Sequence, residues 1–152
     1  MCLETGYGSQ SDAQEIFDWG VAALKKADYE ATITRFTEAI RLKPDYATAY
    51  YNRGFTYERK GVLDRAIADC SEAIRLKPDY AEAYYNRGLV YKRKGELDRA
   101  IANFNEAIRL KPDDAEAYSN RGFAYEQKGD LDKAKADFEK ASQLDSEFIQ
   151  QN

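Results

Sequence analysis

The chain has 152 residues, 33% of them charged and 43% hydrophobic, with a formal net charge of −4. That balance argues against binding nucleic acid through its phosphates, which needs clustered positive charge. No apolar run approaches the roughly 18 residues that span a bilayer, and two cysteines without a histidine offer no disulfide framework and no metal-ligand set.

Residues 1–12 read as a flexible lead. The opening MCLETGYGSQ has neither a basic start nor an apolar middle, so no secretory signal is visible and a reducing, cytoplasmic location fits. Cys2 raises one alternative, a lipid anchor, although no lipidation motif surrounds it.

From Ala13 the chain repeats with a period of 34 residues. Pro44, Pro78 and Pro112 mark that period, and segments 47–80 and 81–114 differ at only nine positions. Such periods denote stacked supersecondary units. Within one unit the apolar residues Tyr84, Leu89, Tyr91 and then Leu97, Ala100, Ile101, Phe104, Ala107, Ile108 follow helical spacing. Gly95 between the two runs suits a left-handed helix end, and Pro112 stops the second run. Each unit is therefore a helix–turn–helix, and the fold class is all-α. Asp113-x-x-Glu116, Asp79-x-x-Glu82 and Ser11-x-x-Gln14 have the form of capping boxes opening the first helices.

In chain order, the first repeat (13–46) predicts helices near 13–26 and 29–42. It is the most divergent, with Trp19 where later repeats carry Arg and Ala23 where they carry Tyr. A terminal unit has one neighbour to pack on, so drift is expected there. The second repeat (47–80) predicts helices near 47–60 and 63–76; its Cys70 takes the slot of Phe36, Phe104 and Phe138 and reads as a small buried thiol. The third (81–114) predicts 81–94 and 97–110, and the fourth (115–148) 115–128 and 131–149. Asp64, Asp98 and Asp132 fall in the first turn of the second helices, where negative charge suits the dipole. Lys135 and Ser142 replace the isoleucines of earlier repeats, which polarises the face a further repeat would cover. Residues 13–152 are expected to form a single solenoid domain.

The pattern Tyr84-x2-Arg87-Gly88-x2-Tyr91, Ala100-x3-Phe104-x2-Ala107, Pro112 resembles the tetratricopeptide repeat. It recurs as Tyr50, Gly54, Tyr57, Ala66, Ala73, Pro78 and as Tyr118, Gly122, Tyr125, Ala134, Phe138, Ala141, so the resemblance covers residues 13–148. It implies a right-handed α-α superhelical solenoid with a concave face lined by first helices. One departure is clear: the family's usual leucine before the glycine is Arg53, Arg87 and Arg121. An Arg stem covers apolar surface while its head reaches a carboxylate, and Asp69 and Asp137 are candidate mates, with Asn103 in the third repeat. A structural role is favoured for these arginines over a ligand contact.

The resemblance places Phe17 and Val21, then Tyr51, Asn52 and Phe55, then Tyr85, Asn86 and Leu89, and finally Asn120 and Phe123 on the concave face. Large rings of this kind are common energetic anchors, and the three asparagines form a ladder of amides for a peptide backbone. Arg59, Lys92 and Arg93 add positive charge at the helix ends. The competing account is that the rings shield neighbouring helices and the asparagines serve structure. Family members that grip acidic C-terminal tails of chaperones use a clamp of Lys, Asn, Asn, Lys and Arg. Here those places read Phe17, Val21, Asn52, Glu82 and Asn86, or one repeat later Tyr51, Phe55, Asn86, Glu116 and Asn120, so that clamp is absent.

The reading that follows is a non-enzymatic adaptor that binds a protein or peptide segment in a groove. It needs no cofactor and no metal, and neither nucleic acid nor a membrane span is expected. A self-assembling array is the alternative, with Phe148–Ile149 as an apolar handle and a homo-oligomer as the outcome. Without histidine or a glycine-rich phosphate loop, catalysis would rest on Asp, Glu or Tyr alone.

Overall fold

The computed structural model describes residues 10–150, with side chains from 12 to 147. Among the described residues there are eight α-helices and no strands. They are α1 (Gln10–Lys25), α2 (Tyr29–Leu42), α3 (Ala47–Arg59), α4 (Leu63–Leu76), α5 (Ala81–Arg93), α6 (Leu97–Leu110), α7 (Ala115–Lys128) and α8 (Leu131–Gln150). From α2 onward every end lies within one residue of the expected position. Helix α1 begins three residues early, so Ser11 lies inside it and not ahead of its first turn. Cys2 and the side chains of Phe148 and Ile149 fall outside the described residues.

The helix ends show why the repeat length is fixed. Gly61, Gly95 and Gly129 take φ of 78°, 77° and 83°, the left-handed region that costs a glycine nothing. The turn they make lets the next residue's N–H reach back five residues, as in Val62 N to Tyr57 O and Asp130 N to Tyr125 O, both 2.9 Å. In the first repeat Ala27 takes the same slot at φ 57°, with Asp28 N to Ala23 O at 3.0 Å. The stop is therefore set by the packing of the pair, and glycine only makes it cheap.

The capping boxes are corrected. The turn after each proline consumes the first aspartate, so the cap falls one residue later, at Tyr80 and Asp114 rather than at Asp79 and Asp113. Tyr80 makes no side-chain cap bond, whereas Asp114 accepts from Ala117 N at 3.2 Å. Asp28 caps α2 in the same way through Ala31 N at 3.1 Å. The first-turn acids Asp64, Asp98 and Asp132 stand where expected.

The helices group into two compact units divided between Pro78 and Asp79. In the first, α1 pairs with α2, α3 with α4, and α2 packs on α3; in the second, α5 pairs with α6, α7 with α8, and α6 packs on α7. Within a pair, a glycine of the first helix meets a ring of the second. A Cβ on Gly88 would stand 2.7 Å from Phe104, and one on Gly20 or Gly122 equally near Phe36 or Phe138. Phe36, Cys70 and Phe104 are fully buried, and alanines such as Ala66, Ala73, Ala100 and Ala107 let the helices close around them. Burying a ring of this size stabilises the pair by about 2–3 kcal/mol.

Candidate functional site

In the second unit α5 comes within reach of α7, and their facing stripes carry most of the expected contact residues. Tyr85 is half-buried, its ring 5.9 Å from Phe104. Its hydroxyl accepts from Asn120 Nδ2 at 2.9 Å and donates to Glu116 Oε2 at 3.3 Å. Asn120 Nδ2 also donates to the Glu116 carbonyl at 3.0 Å, and Asn120 Oδ1 accepts from Lys92 Nζ at 2.5 Å. The Lys92 ammonium lies 5.7 Å from the centre of the Phe123 ring. Phe123 is 46% exposed and leans edge-on against Phe138, centroids 4.9 Å apart. Leu89 is half-buried on the same stripe, and Arg93 is exposed at its end.

In the first unit, Phe17 of α1 stacks 5.3 Å from Phe36 and 5.0 Å from Tyr46. The Tyr46 hydroxyl donates to Gln14 Oε1 at 2.7 Å, while Gln14 Nε2 donates to Asp18 at 2.9 Å. Burial, and then the negative charge of Asp18, push the Tyr46 pKa up against the pull of the Gln14 bond. Val21, Tyr51, Asn52 and Phe55 are half-buried, and Arg59 is exposed in the last turn of α3. The first-helix rings are thus neither swallowed by the core nor fully free.

The asparagines do not offer equivalent open amides. Asn86 is only 3% exposed, and both ends of the Asn120 amide are engaged inside the unit. Asn52 Nδ2 donates to the Thr48 carbonyl at 2.8 Å. The sequence shows the periodic placement of these residues but not their partners: Asn52 bonds within its own helix, while Asn120 is also held by Tyr85 and Lys92 of the preceding repeat.

The arginines form a second constellation, in which Arg53 and Arg121 each span three helices. Arg53 binds both carboxylate oxygens of Asp69, at 2.7 and 2.8 Å, and donates backwards to Thr37 Oγ1 at 3.0 Å. Arg121 repeats this with Asp137 at 2.8 and 2.7 Å and Asn105 at 2.8 Å. Arg87 reaches Asn103 Oδ1 at 2.8 Å. Each guanidinium lies 5.4 to 5.6 Å from the ring of Tyr50, Tyr84 or Tyr118. The hydrogen bonds to Asp69 and Asp137 raise the pKa of Arg53 and Arg121, so the charges are permanent.

Two shallow apolar clefts escaped the sequence reading. One, on α8, is lined by Leu131, Ala134 and Phe138 between Glu126, Lys135 and Glu139, with Leu131 64% exposed. The other lies on α1 and α2 around Ile16 and Leu42, with Trp19 49% exposed and Arg35 stacked 5.3 Å over it. In the sequence, Trp19 in the arginine slot marked the second, and Lys135 and Ser142, which line the first, marked its face as polar while Leu131 stays exposed there. No helix among the described residues is long and apolar enough to cross a membrane.

Comparison with known proteins agrees with this architecture. The family described as TPR repeat matches residues 22–61, 59–95 and 91–129, and the one described as Tetratricopeptide repeat matches 115–148. Among solved structures, a crystal structure of MamA is 31% identical, with a TM-score of 0.88 over 91% of this chain and 81% of that one. The Arabidopsis OM64 TPR domain is 25% identical, with a TM-score of 0.77 over 79% of this chain and 99% of its own. The first TPR of Spaghetti (RPAP3), bound to the HSP90 peptide SRMEEVD, is 22% identical and shares the fold, with a TM-score of 0.78 over 82% of this chain and 98% of its own. No curated protein sequence matches the chain. With helix–turn–helix units at a 34-residue period and family matches from residue 22 to residue 148, the chain belongs to the tetratricopeptide-repeat family.

Proposed function

We propose that the chain is a non-enzymatic interaction module that takes a peptide or partner segment along the first-helix stripes of its units. The observation that carries this is the α5/α7 face, where the open Phe123 ring, Leu89 and Lys92 stand beside a fixed Tyr85–Asn120 pair. Half-exposed rings held by a rigid polar frame give contact area at little ordering cost, which is what a binding face needs. In the first unit Phe17, Val21, Tyr51, Asn52 and Phe55 extend the same reading, with Arg59 at the end of the α3 stripe as Arg93 is at the end of the α5 stripe in the second.

Affinity capture from the source cell with wild-type bait should recover a partner that Phe123→Ala and Tyr51→Ala baits lose, at unchanged helical circular dichroism. Equal recovery by these variants would remove the face assignment.

Self-assembly is the second reading, favoured by the clefts around Leu131 and Trp19. Light scattering over a concentration series separates the two. A mass that grows with concentration in wild type and stops growing in Leu131→Ser supports assembly, and a constant monomer mass rejects it.

A further inference from the structure

We infer that the corner formed by Lys92, Asn120 and Phe123 receives an acidic side chain of the bound segment, next to an apolar one. This rests on the binding-face reading above and names what that face selects.

Lys92 is half-buried, and its pKa is lowered by desolvation alone. No carboxylate among the described residues pairs with it; its ammonium donates to the neutral Asn120 Oδ1 and lies over Phe123. An ammonium has three N–H donors, so two remain for a ligand. The other polar groups of the corner are already occupied, Tyr85 by Asn120 and Glu116, and the Asn120 amide by Glu116, Tyr85 and Lys92. A cation taken partly out of water without a counter-charge is the element that a carboxylate completes.

The charge is also particular to this repeat. The same slot holds Leu24, Glu58 and Glu126 in the other three, so Lys92 is no fixture of the scaffold. In a chain of net charge −4, a single cation beside an exposed ring is specific rather than a general attraction for anions. It also stands outside the slots of the family's carboxylate clamp, which hold Phe17, Val21, Asn52, Glu82 and Asn86 here.

The test uses two pools of short, end-blocked peptides, identical except that a central position flanked by Leu or Phe is Asp/Glu in one and Asn/Gln in the other. Binding is read by fluorescence anisotropy and located by amide NMR shifts. The acidic pool should bind the wild-type chain about tenfold more tightly, the strength of one charge-assisted hydrogen bond. Lys92→Gln, which can still donate to Asn120, should bring the two pools level, and Lys92→Glu should invert the order. Level binding by wild type, or an acidic preference that survives in Lys92→Gln, overturns the inference. If both pools shift α5 and α7 equally, the face stands and only the acidic preference falls. If neither pool shifts them, the face reading and the inference fall together.

Discussion

Arg53 and Asp69 meet as two parallel N–H···O bonds of 2.7 and 2.8 Å, with the side chains only 17% and 9% exposed. This pair takes the place where the family usually packs a leucine, and Arg121 with Asp137 repeats it. Removing one partner strands a charge in the helix interface, which costs more than the pair itself contributes. Asp137→Ala should therefore lower the unfolding free energy by about 3 kcal/mol, at the low end for a buried pair because Arg121 keeps some access to water. Asn103→Ala, which breaks a bond to a neutral acceptor, should cost about 1 kcal/mol. Urea denaturation of the two variants checks the order. Equal losses would mean that the arginine stem, not its charge, matters.

The contact between Gly88 and Phe104 gives a steric prediction. A methyl at residue 88 would stand 2.7 Å from a ring that is fully buried and has nowhere to go. Gly88→Ala should destabilise by about 1–3 kcal/mol despite the better helix propensity of alanine. At Gly54 the neighbours stand at 3.1 to 3.2 Å, with a cysteine in place of the ring, so Gly54→Ala should cost less. Thermal melts of the pair decide it.

Ala27 offers the opposite case. It holds φ 57° where the other repeats use glycine, so it carries strain that glycine would not. Ala27→Gly should raise stability by up to about 1 kcal/mol, the relief in the folded state exceeding the added freedom of the unfolded chain. A lower melting temperature would show that the left-handed turn is not strained at this residue.

Lys92 sets a pH dependence. Its pKa is depressed in the folded protein by burial, so the folded state gives up that proton more readily than the unfolded chain. The unfolded state then binds more protons, and stability rises with pH through the window between the lowered value and the ordinary one near about 10.4. Below that window the burial cost is present in full. A side-chain NMR titration should show Lys92 losing its proton before the ordinary lysine value. Binding of the acidic peptide pool should move that midpoint upward, and an unmoved midpoint would separate the ligand from the ammonium.

The spacing of Gly61, Gly95 and Gly129, the prolines and the runs around Phe104 made eight helices legible, because helix ends and helical faces are properties of short stretches. The Arg–Asp pairs were legible too, since a charge in a leucine slot demands a mate and the neighbouring helix supplied two at fixed separation. The caps at Tyr80 and Asp114 were misjudged by one residue, as the turn after proline has a length that composition does not state.

What the sequence by itself determined was the repeat, the helix pairs and the side of each helix that turns inward, since all three follow from apolar periodicity along one strand of text. What only the tertiary structure decided was which polar groups are spent. Asn120 is tied to Tyr85 and Lys92, residues about one period away, whereas Lys92 is left with a ring and no carboxylate. Hydrogen-bond satisfaction depends on distances between separate helices, and those are fixed only once the pairs have packed.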